Sequence, residues 1–294
     1  MKIFVAGGTG FVGGHLLKAL LSSGHSVRAL VHRRSTTCED VEQVEGDITR
    51  VETFEQSITG CDAVINLIGI IRELPSRGVT FERLHVQATS NLLAAAAGNG
   101  IKRYLQMSAL GTRPDAVSAY HKTKWRAEEL VRGSGLEWTI FRPSMIFGPQ
   151  DGFINMLAAQ LRLAPVMPVI GSGSYRLQPI HGDDVARCFA LALELPETIG
   201  HTYELCGRDR VSYEGLLDMI AVTMGRSRPF KPHLPLSLMK SVIPYMQKIP
   251  QFPITMDQLQ MLLEESIGGD EWQSTFGFVP RGLQDGIAEY LSKT

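Results

Sequence analysis

Cysteine is scarce in this chain: Cys38, Cys61, Cys188 and Cys206 are the four in 294 residues, and no two form a C-x-x-C pair. A zinc knuckle or a disulfide framework therefore has no sequence support, and reduced thiols in a cytoplasmic setting are the expectation. An excess of either charge is also missing. With 29 Lys+Arg against 30 Asp+Glu the net charge is −1, which leaves no electrostatic footprint for a nucleic-acid partner. Long apolar runs are lacking as well. The longest stretch without charge, residues 84–101, is broken by His85, Gln87, Thr89, Ser90, Asn91 and Asn99 and reads as an Ala-rich helix, too polar for a membrane span. The first six residues run straight into a Gly-rich turn, so no secretion signal is expected. The histidines show no metal-ligand spacing, and no metal is expected.

Hydrophobic residues make up 44% of the chain and charged ones 20%, enough to build a full core and too apolar for disorder. Short β-branched runs at residues 3–6, 27–31, 63–68, 104–107 and 138–141 alternate with helical patterns at 11–23, 81–98 and 118–132. A further strand at 41–45 and a weak helix near 51–57 complete the repeat. Strand–helix–strand units with short links predict an α/β fold, a doubly wound parallel sheet of Rossmann type covered by helices on both faces. Residues 1–150 are expected to form this domain, with 172–200 returning to it.

Beyond Pro149 the pattern is less regular: a helix at 153–163, strands near 166–170 and 176–180, and a helix at 183–195. Six of the 15 prolines lie between Pro229 and Pro253, predicting short helices such as 236–243 and 256–265. Residues 151–171 and 201–294 read as a smaller, mostly helical substrate or partner module over the carboxyl edge of the sheet, where open α/β folds bind ligands.

Gly7-Gly8-Thr9-Gly10-Phe11-Val12-Gly13 follows the first strand directly and opens a helix. Glycines there let backbone N–H groups approach a pyrophosphate at the positive helix end, and the last allows close helix–strand packing. At the end of the second strand, where an acidic residue would hold the 2′-hydroxyl of NAD, the chain has His32-Arg33-Arg34. That basic cluster suits a 2′-phosphate, so NADP(H) is expected over NAD(H). Tyr120-His121-Lys122-Thr123-Lys124 places Tyr120 and Lys124 one turn apart on a helix, after a strand that ends at Ser108. An ammonium beside a phenol favours the phenolate, so the spacing predicts a phenol brought closer to neutral pH for acid/base work.

In order and context, Gly7–Gly13, Ser108 and Tyr120–Lys124 resemble the short-chain dehydrogenase/reductase superfamily. Gly46-Asp47-Ile48, the run from Arg142 to Pro149 and Ile180-His181-Gly182-Asp183-Asp184 are similar to its extended and atypical branch, the NAD-dependent epimerase/dehydratase-like proteins. Val64-Ile65-Asn66-Leu67-Ile68-Gly69 and the run from Trp138 to Pro143 look most like bacterial relatives of the nucleotide-binding accessory subunit of respiratory complex I. The resemblance implies that Asp47 and Ile48 flank the adenine. It also implies that Asn66, Leu67, Ile68 and Gly69 run beneath the ribose and that Pro143 and Ile146 line the nicotinamide. His85 stands where extended members usually have Asn, which puts that family's proton relay in question. It reads first as a hydrogen-bonded packing residue.

Two functions of different class follow. One is a reductase or dehydrogenase in which Tyr120 moves the proton, Ser108 holds the oxygen, and Lys124 tunes the phenol and grips the nicotinamide ribose. The other is an NADPH-holding structural or assembly protein with a respiratory-complex or peripheral-membrane partner. Nucleotide-sugar epimerase or dehydratase chemistry is a third reading, but residues 207–294 hold no cluster for a second phosphate-bearing ligand. Their apolar Leu234, Leu236, Leu238, Met239, Val242, Ile243, Tyr245 and Met246 point to an apolar small-molecule substrate or a membrane-adjacent partner.

Overall fold

The computed structural model describes residues 1–32, 35, 36, 38–247, 249, 252 and 254–292. Arg33 and Arg34 lie outside the described residues. The chain divides into two compact units: residues 1–143, 182–205 and 270–278, and residues 144–181, 206–269 and 279–294.

In the first unit β1 (Lys2–Ala6), β2 (Ser26–Val31), β3 (Glu42–Glu45), β4 (Ala63–Asn66), β5 (Arg103–Met107), β6 (Glu137–Pro143) and β11 (His201–Leu205) form one sheet. Its order is β11-β6-β5-β4-β1-β2-β3 and every pairing is parallel. This is the expected doubly wound sheet. Connections reverse direction at β1 and β4, so the turns that follow these two strands open at the switch point where ligands of such sheets bind. Ile3 to Ala6 are wholly buried, as are all four residues of β4, which is why these strands are continuous apolar runs without alternation.

Helix α1 (Phe11–Ser22) buries Val12, Gly13, Leu16, Leu17 and Leu20 and packs on α5 (Gly182–Ala192). Helix α2 (Ala88–Gly98) packs on α3 (Ala119–Arg132), and its Ala88, Leu92, Ala95 and Ala96 join Phe4, Val64 and Tyr104 of the sheet in one core. The short helix α9 (Trp272–Phe276) completes this unit by setting Phe276 against Phe141 and Tyr203.

Among the described residues the second unit holds three two-stranded ladders. They pair β7 (Ile146–Phe147) with β10 (Ile180–His181), β8 (Val169–Ile170) with β13 (His233–Leu234), and β9 (Arg176–Leu177) with β12 (Val211–Ser212). Helices α4 (Ile154–Leu163), α6 (Tyr213–Thr223) and α10 (Leu283–Leu291) supply its core through Leu157, Leu161, Leu216, Leu217, Ile220 and Ile287. Asp151 starts α4 by accepting the N–H groups of Phe153 and Ile154 at 2.8 and 2.6 Å, and Tyr290 donates to its other oxygen at 3.0 Å. Helices α7 (Leu236–Met246) and α8 (Met256–Leu263) lie between β13 and α10 in the chain.

Several elements differ from the sequence expectation. The weak helix near 51–57 is a pair of 3₁₀ turns, Val51–Thr53 and Glu55–Ile58. The expected strand at 176–180 is split in two, since Pro179 has no N–H to donate to a ladder. Helix α7 runs past Ile243 and through Pro244 to Met246. His201–Leu205, which has too few apolar residues to read as a strand, forms the sheet's edge beside β6. The second part of the first unit accordingly spans 182–205, where the sequence suggested 172–200. Among the described residues no helix is long and apolar enough to cross a membrane, and no cluster of His, Cys, Asp or Glu could hold a metal ion.

Candidate active site

The Gly-rich turn is shaped by what a side chain would strike. Gly7 has a φ of +90°, and a Cβ on it would lie 3.0 Å from the Leu67 backbone, so the turns after β1 and β4 touch only because this residue is glycine. A Cβ on Gly13 would come within 2.3 Å of the Gly7 carbonyl oxygen, closing α1 directly against the turn. Gly10 differs: its Cβ would meet only that same oxygen, at 3.3 Å, and otherwise open space. Thr9 and Gly10 are exposed, no side chain caps α1, and its first turn carries no acidic residue. The positive end of the helix dipole thus opens at an exposed turn, with no side-chain cap or first-turn carboxylate to oppose an anion.

The residues that the resemblance implies around an adenosine lie at and just beyond the neighbouring strand ends. His32 is exposed just past β2. Asp47 is partly buried, which raises its carboxyl pKa, but the N–H and hydroxyl of Thr49 at 2.9 and 2.8 Å, with His32 and Arg83 nearby, hold the net value below the usual range. The Ile48 side chain turns into the core with Phe54 and Leu92. Asn66 is also turned inward: its amide donates to Thr89 and Gln106 and its oxygen accepts the Ile68 N–H at 3.0 Å, so it shapes the turn after β4 from beneath. Leu67 is buried and Ile68 half-buried, while Pro143 ends β6 and accepts the Leu110 N–H at 2.9 Å. Ile146 opens β7 in the second unit, half-buried.

Lys124 ties these turns to α3. Buried to 2% exposure, its ammonium donates to the Ile68 carbonyl, in the turn after β4, and to the Met107 carbonyl, immediately before Ser108, both at 3.2 Å. A Cβ on Gly69 would stand 2.9 Å from Nζ, so the turn passes close over the amine. Burial pulls the amine down to about 8, partly offset by Glu128 one turn further along α3. The Ser108 N–H donates to the Phe141 carbonyl at 2.6 Å, and its hydroxyl reaches Thr112 at 3.3 Å. Ser118 caps α3 by accepting the His121 N–H, fixing the turn that carries Tyr120.

Tyr120 corrects one expectation. Its ring is enclosed by Phe81, His85 and His121 at centroid distances of 5.8, 5.3 and 5.2 Å, and burial pushes the phenol up to about 12. The sequence predicted a lowered value from Lys124. That ammonium is directed at two carbonyls, and the apolar enclosure of the phenol prevails. The Tyr120 hydroxyl makes no hydrogen bond among the described residues.

Two supports were not read from the sequence. Glu128 is fully buried and accepts from Arg142 at 2.9 and 2.7 Å and from Arg132 at 2.6 Å. The signal was present, since Tyr120, Lys124 and Glu128 recur every fourth residue on one face of α3. The second is the π-helical turn Glu82–Gln87 that leads into α2 and carries His85 inward to 1% exposure. His85 Nδ1 lies 2.8 Å from the Thr123 hydroxyl, and Nε2 meets the Ile70 carbonyl and N–H at 3.2 and 3.3 Å. Burial, reinforced by Lys124 and opposed by the Ile70 backbone, pulls the imidazole from 6.5 to about 2. It is a neutral ring holding the turn beside the lysine.

Gly10→Val should leave the fold intact and abolish dinucleotide binding, while Gly13→Ala should destabilise the chain by about 2 kcal/mol or more through overpacking against backbone. Calorimetric NADPH titration with thermal melts checks both, and full affinity in folded Gly10→Val would refute the phosphate turn. For His85 the depressed folded value means that its contribution to stability is present above 6.5 and lost as pH falls towards about 2. Between about pH 7 and about pH 5.5, wild type should lose about 1 kcal/mol more urea stability than His85→Gln, and equal losses would contradict a neutral buried imidazole.

Comparison with known proteins gives the family and the fold. The profile of the NAD dependent epimerase/dehydratase family matches residues 3–206. The mitochondrial NADH dehydrogenase 1 alpha subcomplex subunit 9 of Dictyostelium discoideum is 30% identical over 230 residues, covering 74% of this chain and 62% of its own length. Ceramide reductase of Caulobacter vibrioides is 30% identical over 188 residues, 63% of this chain and 58% of that protein. The chain thus spans about three-fifths of the length of either relative. Among solved structures, the dTDP-glucose 4,6-dehydratase DesIV of Streptomyces venezuelae with NAD bound shares the fold at a TM-score of 0.77 and 20% identity, covering 99% of this chain and 96% of that one. The chain belongs to the NAD dependent epimerase/dehydratase family and carries the nicotinamide-dinucleotide oxidoreductase frame of that family.

Proposed function

We propose that this protein is a cytoplasmic reductase or dehydrogenase that moves a hydride between NADP(H) and the carbonyl or hydroxyl carbon of a small, apolar molecule. The observation that carries the reading is the placement of Lys124, one helical turn from Tyr120 and bonded to the carbonyls of Met107 and Ile68. One side chain thereby joins the proton-donating helix, the strand end bearing Ser108 and the turn at the sheet's switch point. A dinucleotide fits the residues present: the space above Gly10 is open, the end of α1 is uncapped, and no acidic residue stands between Val31 and Cys38 to repel a 2′-phosphate.

When bound, the dinucleotide supplies or accepts the hydride. Tyr120, protonated at neutral pH because its phenol is pushed up to about 12, is a general acid that gives its proton to the substrate oxygen during reduction. Ser108 donates its hydroxyl to the same oxygen and holds it. Lys124 holds α3, and with it Tyr120, against the strand ends and would grip the nicotinamide ribose. His32, Arg33 and Arg34 favour the 2′-phosphate of NADP(H), guanidinium groups making charge-assisted and often bidentate phosphate bonds. An apolar substrate is supported by the kinship with ceramide reductase. A second reading, a protein that holds NADPH as a structural element beside a respiratory partner, is favoured by the kinship with a mitochondrial NADH dehydrogenase subunit.

Calorimetry with NADPH and NADH, followed by NADPH oxidation against a panel of apolar ketones, aldehydes and quinones, tests the proposal. NADPH should bind more tightly, and Arg33→Ala/Arg34→Ala should weaken NADPH by about tenfold or more with little effect on NADH. Equal wild-type affinities would overturn the NADP(H) preference. Tight binding without oxidation of NADPH by any member of the panel would move the conclusion to the holding role.

A further inference from the structure

Charge is segregated along the second unit. Residues 219–256 contain five Lys/Arg (Arg226, Arg228, Lys231, Lys240 and Lys248) and no Asp or Glu, whereas the rest of the chain holds 24 Lys+Arg and 30 Asp+Glu, a net −6. The same 38 residues carry six of the 14 exposed large hydrophobic side chains among the described residues. Leu238, Val242 and Tyr245 recur at i, i+4 and i+7, so α7 turns an apolar stripe to solvent while it buries Ile243. Tyr245 is 74% exposed, and Ile249 continues the same spacing just past the helix. Phe230, 70% exposed, precedes β13 and pairs with the exposed Val166 across an isolated bridge. Of the cations, Lys231 is held by Asp218 and Arg226 donates to the Leu161 carbonyl. Arg228 and Lys240 are exposed and make no ion pair or hydrogen bond among the described residues.

A solvent-facing apolar stripe, in a segment that carries exposed cations and no carboxylate within an otherwise acidic chain, matches an anionic lipid surface, which takes apolar side chains into its acyl boundary and attracts Lys and Arg at its headgroups. An acidic water-soluble partner would match the cations and leave the stripe unaccounted for. We propose that α7, with Phe230 and the basic residues around it, rests on the surface of a membrane containing anionic lipid, its helix axis in the plane of the interface. The inference stands independently of the catalytic reading, since every residue it uses lies in the second unit and none in the dinucleotide site.

Flotation of the full chain with vesicles of phosphatidylcholine alone, or with about one-third phosphatidylglycerol, tests it. The protein should float with the anionic vesicles about tenfold more than with the neutral ones, and high salt should reduce the difference. Leu238→Ser/Tyr245→Ser should lose binding at both salt concentrations. Arg228→Glu/Lys240→Glu should weaken binding by about tenfold or more, whereas Lys18→Glu on α1 should leave it unchanged. Matching melting temperatures establish that the variants are folded. Absence of wild-type flotation, equal flotation with both vesicles, or equal loss in Lys18→Glu would overturn the proposal, as would capture of wild type only by an acidic protein partner.

Discussion

The ammonium of Lys124, enclosed by protein and bonded to two backbone carbonyls, is the contact on which the first unit's functional end depends. Burying a cation is unfavourable unless it is hydrogen-bonded and opposed by negative charge. Both conditions are met here. The Met107 carbonyl ends β5, the Ile68 carbonyl lies in the turn just after β4, and Glu128 lies one turn further along the same helix. Because one carbonyl belongs to a strand and the other to a turn that Asn66 of β4 holds, the lysine fixes α3, and with it Tyr120, relative to the sheet. The strand order places this junction beside the turn that follows β1.

A second layer keeps the lysine in place. Arg142 and Arg132 both donate to Glu128, so the carboxylate is anchored by β6 and by the last turn of α3. On the other side His85 holds the backbone of Ile70. A protonated imidazole there would set a second cation against the amine in a site with little water. The ring's depressed pKa avoids that conflict, and the Asn usual at this position in extended relatives would carry no charge at any pH. Replacing Asn by His thus keeps a neutral hydrogen-bonding group at the junction, and a larger one.

The α/β class, the parallel sheet and the glycine turn were legible because they rest on local pattern: apolar strands with buried faces, helical spacing, and glycines directly after β1. Tyr120, Lys124 and Ser108 were legible for the same reason, being one helix turn and one strand end. What could not be read depends on contacts distant in sequence. His201–Leu205 becomes a strand only by pairing with β6, more than fifty residues earlier. The direction of the Tyr120 shift depends on Phe81 and His85, which arrive from another helix, so the near-neighbour rule pointed the wrong way. The resemblance runs Asn66 beneath the ribose, but that its side chain turns to Thr89 and Gln106 depends on partners distant in sequence. The arginines expected at the 2′-phosphate fall outside the described residues.

The most direct test of proton transfer through Tyr120 is single-turnover NADPH oxidation, wild type against Tyr120→Phe, with a carbonyl substrate that wild type reduces. Affinity for NADPH should be nearly unchanged, since the phenol acts on substrate, while the oxidation rate should fall by on the order of 10² or more with the loss of the general acid. Equal rates in the two proteins would contradict the assignment of Tyr120 as proton donor and leave the Lys124 junction as a framework for holding the dinucleotide.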